Sequence, residues 1–185
     1  MPRGSRGEDA LVGALSHPTR RTVLRIVAAR VASPREMADE IGEPIGRVSH
    51  HVRWLAARGL IELVDTAPRR GAVEHYYRAR SYPLLTDERW RELSAGRRAS
   101  LADGMLRDLW ADVLDARQAD ALVEDDVHLT RTLLTLDDQG HRRLSELLLE
   151  VVVKALEIEA ESKARLGTDT GRPTELGLLH FRRPS

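Results

Sequence analysis

SPREMADEIGEPIGRVSHHVRWLAARGL, residues 33–60, reads as a short helix, a tight turn and a second helix that ends at a glycine. Ser33 suits the cap of the first helix and Pro34 its first turn. Glu36 stands three residues after Ser33, where a capping box takes a carboxylate. Gly42 breaks that helix. Pro44 opens the second one, where its missing N–H would be unsatisfied anyway. Gly59 falls where a left-handed C-terminal cap is expected. Two short helices joined by a few residues with glycine form the helix-turn-helix pattern, whose second helix enters the major groove of DNA.

Spacing assigns the faces of the two helices. Met37, Ala38 and Ile41 recur at helical intervals and are expected to pack inward, as are Val48, Val52 and Leu55 of the second helix. The complementary face carries Pro44, Ile45, Gly46, Arg47, Ser49, His50 and Arg53, mostly short or hydrogen-bonding residues near the helix N-terminus. Arg47 is the candidate for a guanine edge, because its fork bonds O6 and N7 together. Arg53, further along, is expected at a phosphate. His51 lies close to the apolar stripe and reads as a partly buried structural histidine, whereas His50 points outward. Adjacent helix positions lie about 100° apart, so this pair does not chelate a metal. Gly46 costs about 1 kcal/mol relative to alanine in a helix interior. It either permits close approach of the backbone to DNA or is merely tolerated.

Upstream, residues 8–15 suggest a first helix and Thr19–Val31 a second, with Val23, Leu24, Ile26 and Val27 inside. Arg20 and Arg21 fall on the outer face, as phosphate contacts or as a solvated surface. Downstream, residues 60–65 and 73–80 read as strands, with TAPRRGA (66–72) as the loop between them. A basic hairpin directly after a helix-turn-helix is a wing. Arg69 and Arg70 at its tip are candidates for the minor groove or the backbone.

Taken in order, Leu15-Ser16-His17-Pro18-Thr19-Arg20-Arg21, Glu36-Met37-Ala38, Ile41-Gly42, Val48-Ser49-His50-His51-Val52, Leu55, Gly59-Leu60-Ile61 and Tyr76-Tyr77-Arg78 resemble the ArsR family of winged-helix regulators over about residues 10–80. The resemblance implies a homodimeric, operator-binding regulator, usually a repressor released by a signal. It carries recognition contacts onto Ile45, Arg47, Ser49, His50 and Arg53. Metal-sensing members often place Cys-x-Cys just before the Glu-Met dipeptide. Here Ser33 and Arg35 occupy those positions, so that thiolate sensor is missing.

Composition narrows the classes. The chain has 185 residues, 42% hydrophobic and 31% charged, and no cysteine. Disulfides, cysteine zinc sites and thiol catalysis are therefore excluded. No apolar run approaches the roughly 20 residues of a membrane span, and the N-terminus lacks the apolar core of a signal peptide, so a cytoplasmic protein is expected. The net charge of zero conceals an asymmetry: residues 1–82 hold 14 basic against 9 acidic residues, and residues 83–185 hold 15 against 20. A basic first half suits phosphate contact. Neither a glycine-rich phosphate loop nor a His-Glu-x-x-His helix occurs, and no enzyme or cofactor is indicated.

The second half is expected to be helical. A long or broken helix runs from about Thr86 to Ala121, and a last one from Gln139 to Leu166, capped by Asp137 or Asp138. Residues 127–136 alternate and read as a strand. The stripe Leu144, Leu147, Leu148, Val151, Ala155 and Ile158 needs a partner, so the 86–121 and 139–166 helices are assigned to a homodimer interface. A small-molecule effector pocket is expected, if anywhere, where the 127–136 strand joins these helices, its binding residues unknown. The tail reads as mostly mobile, with LGLLHF (176–181) as a small apolar anchor.

These observations imply a mainly α fold with a small β wing. A winged helix-turn-helix domain spans 8–82, a helical dimerisation region containing one short strand spans 83–166, and a flexible tail spans 167–185. The function implied is sequence-specific reading of a palindromic, double-stranded DNA operator through the 44–58 helix and the 66–72 wing. The alternative is a winged-helix module that docks proteins and reads no operator.

Overall fold

The structure, a computed structural model, describes residues 4–69, 71–167 and 171–183. The chain divides between Leu114 and Asp115 into two compact units. In the first, α1 (Gly4–Leu15), α2 (Pro18–Ala29), α3 (Pro34–Ile41) and α4 (Ile45–Ala57) precede β1 (Ile61–Arg69) and β2 (Ala72–Ala79). Next come α5 (Asp87–Glu92) and α6 (Ala95–Gln118), whose last residues belong to the second unit, with α7 (Asp138–Leu166). This is a helix-turn-helix followed by an antiparallel wing and a helical C-terminal region.

Local chemistry sets the ends of α3 and α4. Ser33 accepts the Glu36 N–H at 3.3 Å while the Glu36 carboxylate accepts the Ser33 N–H at 2.8 Å, a complete capping box. Gly42 takes φ +73° and Gly59 φ +70°, conformations that a side chain would strain. At the end of α4, the Leu60 N–H bonds the Leu55 carbonyl and the Gly59 N–H bonds the Ala56 carbonyl, closing a Schellman motif.

The expected inward residues form one core. Val23, Leu24, Ile26 and Val27 of α2, Met37 and Ala38 of α3, and Val48, Val52 and Leu55 of α4 are buried together with Ala14, Ala32 and Ile61. Ile41 packs against this cluster from its edge. A second cluster joins Val12 and Leu15 to Leu93 and Leu101. Leu93 lies in the break between α5 and α6, so the long or broken helix expected from Thr86 is a broken one.

The wing differs from its sequence reading. Thr66, Ala67, Pro68 and Arg69, expected in a loop, pair with His75, Glu74, Val73 and Ala72. The turn is correspondingly tight, with Gly71 at φ +85°. Pro68 is tolerated because both strands of a two-stranded sheet are edges. Ala32, between α2 and α3, adds an isolated bridge to Tyr77, with N–H···O distances of 3.0 and 2.9 Å.

The strand expected at 127–136 is corrected. These residues belong to no strand or helix, and Leu129, Leu133 and Leu134 are exposed. Alternation gives a segment two faces, but a strand also needs a neighbour to take its backbone groups. Among the described residues β1 and β2 pair with each other, and 127–136 pairs with neither. Asp137 caps α7, its carboxylate accepting the Gly140 N–H at 2.7 Å. Within α7, a helix of 29 residues, no residue is buried. The apolar anchor expected in the tail is corrected too: Leu176, Leu178, Leu179 and Phe181 are exposed. The tail instead contacts α7 through His180, stacked 4.8 Å from His141, and through Arg182, paired with Asp138 at 2.6 Å. No helix among the described residues is long and apolar enough to cross a membrane.

Candidate nucleic-acid interface

The C-terminal wall of the candidate surface is the wing and the other is α4. Burial of Val48, Val52 and Leu55 turns the opposite face of α4 outward, leaving Pro44, Ile45, Gly46, Arg47 and His50 exposed. Between α4, the start of α3 and the wing runs an open groove of about 960 Å³. Its walls include Ile45, Ser49 and Arg53 from α4, Pro34 and Arg35 from α3, and Arg69, Val73, Glu74, His75 and Tyr77 from the wing.

Four of the expected residues, Ile45, Ser49, Arg53 and Arg69, thus meet on one groove. Pro44, Gly46, Arg47 and His50 stand outside its lining on the exposed start of α4, and Arg70 lies outside the described residues. Arg35 and His75 line the groove and were not singled out from the sequence. Arg35 carried a usable signal, since it sits on the first turn of α3. His75 carried none, because its position depended on the register of a strand read as starting at 73.

The groove is electrostatically mixed. Arg47 pairs with Glu43 at 2.8 Å, and Arg53 donates through Nε to the Ser49 carbonyl at 3.2 Å. Arg69 Nε lies 2.9 Å from a Glu74 carboxylate oxygen. The Ser33 hydroxyl, then Arg69, hold Glu74 below the usual carboxylate range despite its partial desolvation. A polyanion meeting this surface would compete with Glu43 for Arg47. Nothing packs within 4 Å of a Cβ placed on Gly46, so the fold itself does not require glycine there.

Behind the exposed face, His51 is buried, as its sequence position suggested. Its ring centroid lies 4.4 Å from that of His17, the residue preceding α2, and 5.4 Å from that of His50. Burial, then the charge of neighbouring arginines, pushes His17 below the ordinary imidazole value. Burial, then His17 and His50, does the same for His51.

Arg20 and Arg21 are not free phosphate ligands. The Arg20 guanidinium lies 4.0 Å from the Trp54 ring centroid, beside Arg58 at 3.8 Å. Arg21 is buried and bonded to Asp108 and the Leu15 carbonyl. The outer face inferred for Arg21 from helical spacing is covered by α6, an element 87 residues away.

No curated protein matches the chain. Among solved structures, HlyU from Vibrio cholerae N16961 is 20% identical with a TM-score of 0.36, the match covering 60% of this chain and 99% of that one. Reduced HlyU from the same organism is 18% identical with a TM-score of 0.35, covering 58% and 93%. A family model of a helix-turn-helix domain matches residues 15–64, the segment that holds α2, α3 and α4.

Proposed function

We propose that the chain is a sequence-specific, DNA-binding transcription regulator of the ArsR kind, acting as a homodimeric repressor on a palindromic operator. The observation that supports this reading best is the groove walled by Arg35, Ser49 and Arg53 of the matched helix-turn-helix segment and by Arg69 of the wing that follows it. In this reading Pro44, Ile45, Gly46, Arg47, Ser49, His50 and Arg53 form the reading helix. Arg47 takes a guanine edge, while Arg53, Arg69 and Arg70 take phosphates or the adjoining minor groove. Residues 8–82 are the reading domain, 83–166 the dimerisation region and 167–185 an appended tail.

Dimerisation is supported by apolar surface on both long helices: Met105, Leu106 and Trp110 on α6, and Leu147, Val151 and Ile158 on α7 are exposed. A two-fold dimer spaces its reading helices for half-sites one DNA turn apart, about 34–36 Å. Sedimentation at micromolar concentration is expected to show a dimer; a stable monomer would overturn that assignment.

A mobility-shift titration at two salt concentrations tests the function. Binding is expected to weaken steeply with salt, because phosphate contacts release counterions. Binding to duplexes that is absent or insensitive to salt would favour a protein-docking role. Genome-wide mapping of bound sites then identifies the operator, and the genes beside it the signal.

A further inference from the structure

Ser33, Glu74 and Arg69 form a chain of contacts that joins the start of α3 to the wing. Ser33 is completely buried. Its hydroxyl donates to Glu74 Oε1 at 2.7 Å while accepting the Glu36 N–H, so one oxygen both caps α3 and grips the wing. The other Glu74 oxygen, Oε2, lies 2.9 Å from Arg69 Nε. One carboxylate oxygen is therefore hydrogen-bonded to Ser33, and the other, buried and without a hydrogen bond of its own, is ion-paired with Arg69. The Glu74 side chain is 11% exposed, whereas that of Arg69 is 67% exposed. The Arg69 guanidinium is thus largely open to solvent.

A carboxylate on the wall of a groove that binds a polyanion is adverse by simple electrostatics. Here the same carboxylate is ion-paired with the Nε of a long arginine side chain that is otherwise largely exposed. Resting on the reading of this groove as the DNA interface, we infer that Glu74 is a positioning residue. It presets Arg69 to receive a phosphate, and it is itself aimed by Ser33, the cap of α3. Presetting a long side chain removes part of the ordering cost that binding would otherwise carry. The wing and the reading helices thereby present their cations as one surface, although Ser33 and Glu74 stand 41 residues apart.

The test measures affinity of the full chain for a labelled mixed-sequence duplex of about three helical turns across a salt series. Glu74→Ala is expected to weaken binding about fivefold and to lower the salt slope by up to about 0.9, as does Arg69→Ala. Adding Glu74→Ala to Arg69→Ala is expected to bring no further loss, and at most a slight gain from the removed negative charge. Glu74→Gln, whose single amide oxygen can accept from Ser33 or from Arg69 but not from both, should fall between wild type and Glu74→Ala, and thermal melts of each variant confirm folding. Unchanged or tighter binding by a folded Glu74→Ala chain overturns the inference, since tighter binding is what removal of a negative charge alone produces. An equal loss in the Arg69→Ala background overturns the route through Arg69. If the wild-type chain binds no duplex in a salt-sensitive way, the reading of the groove fails, and this inference with it.

Discussion

Arg21 reaches from α2 to Asp108 on α6, its Nε 2.7 Å from one carboxylate oxygen and its Nη2 3.1 Å from the other. A third bond, from Nη1 to the Leu15 carbonyl at 2.9 Å, ties in the end of α1. Arg25 repeats the link one turn on, to Asp112 at 3.1 Å. The planar guanidinium suits this bidentate grip. Arg21 thereby ties α2 and the end of α1 to α6.

Replacing Asp108 with alanine is expected to destabilise the first unit by about 2 kcal/mol, because a buried guanidinium loses its counter-charge. The 41% exposure of Asp108 keeps the cost below that of a fully buried pair. Urea denaturation monitored by Trp54 and Trp90 fluorescence reads the change. A loss under about 0.5 kcal/mol would mean that water replaces the carboxylate freely.

Gly104 makes room for that guanidinium. A Cβ there would lie 2.7 Å from Arg21 Nη1, and Arg21 is pinned by its acceptors. Gly104→Ala is therefore expected to destabilise by about 1 kcal/mol or more, although alanine favours a helix by about that amount. In an Arg21→Ala background the same substitution should become neutral or stabilising, which a double-mutant cycle measures.

Gly46 offers the opposite case. With open space around it, Gly46→Ala is expected to stabilise the chain by up to about 1 kcal/mol in thermal or chemical denaturation. If the glycine serves close approach to DNA, the same variant binds duplex more weakly. Stabilisation with unchanged affinity would assign it no part in binding.

Arg47→Ala should relax preference at one base position per half-site, costing about 1–3 kcal/mol at the preferred base. Its pairing with Glu43 in the free protein makes Glu43→Gln the control, since that variant frees the arginine without removing it. Selection of bound sequences from a random pool checks both.

The buried His51 and the half-buried His17 give the fold a pH dependence. Burial lowers both His17 and His51 from the ordinary value of about 6.5, so the unfolded chain takes up protons before the folded one as pH falls. Stability is thus complete above about pH 6.5 and declines below it, until the folded histidines themselves protonate. Urea midpoints at about pH 7.5 and 5.5 should differ in that direction, and His51→Phe should reduce the difference. Equal midpoints in the wild-type chain would contradict the assigned burial effect.

The sequence by itself determined the helix-turn-helix. Ser33 with Glu36, Gly42 and Gly59 act on backbone groups only a few residues away, and the inward stripes of Met37–Ala38 and Val48–Val52–Leu55 follow from helical period alone. Tertiary structure decided the rest, because each outcome depended on a partner remote in the chain. Residues 127–136 had the alternation of a strand but no neighbour to pair with, and so remained irregular. Arg21 had the spacing of a surface residue, yet α6 covers it and Asp108 takes its charge. Glu74 read as one more polar residue in a strand until the fold set it against Ser33 and Arg69. Caps and periodicity are short-range properties that a sequence carries in plain order; the placement of a charge is settled only by what the folded chain brings to meet it.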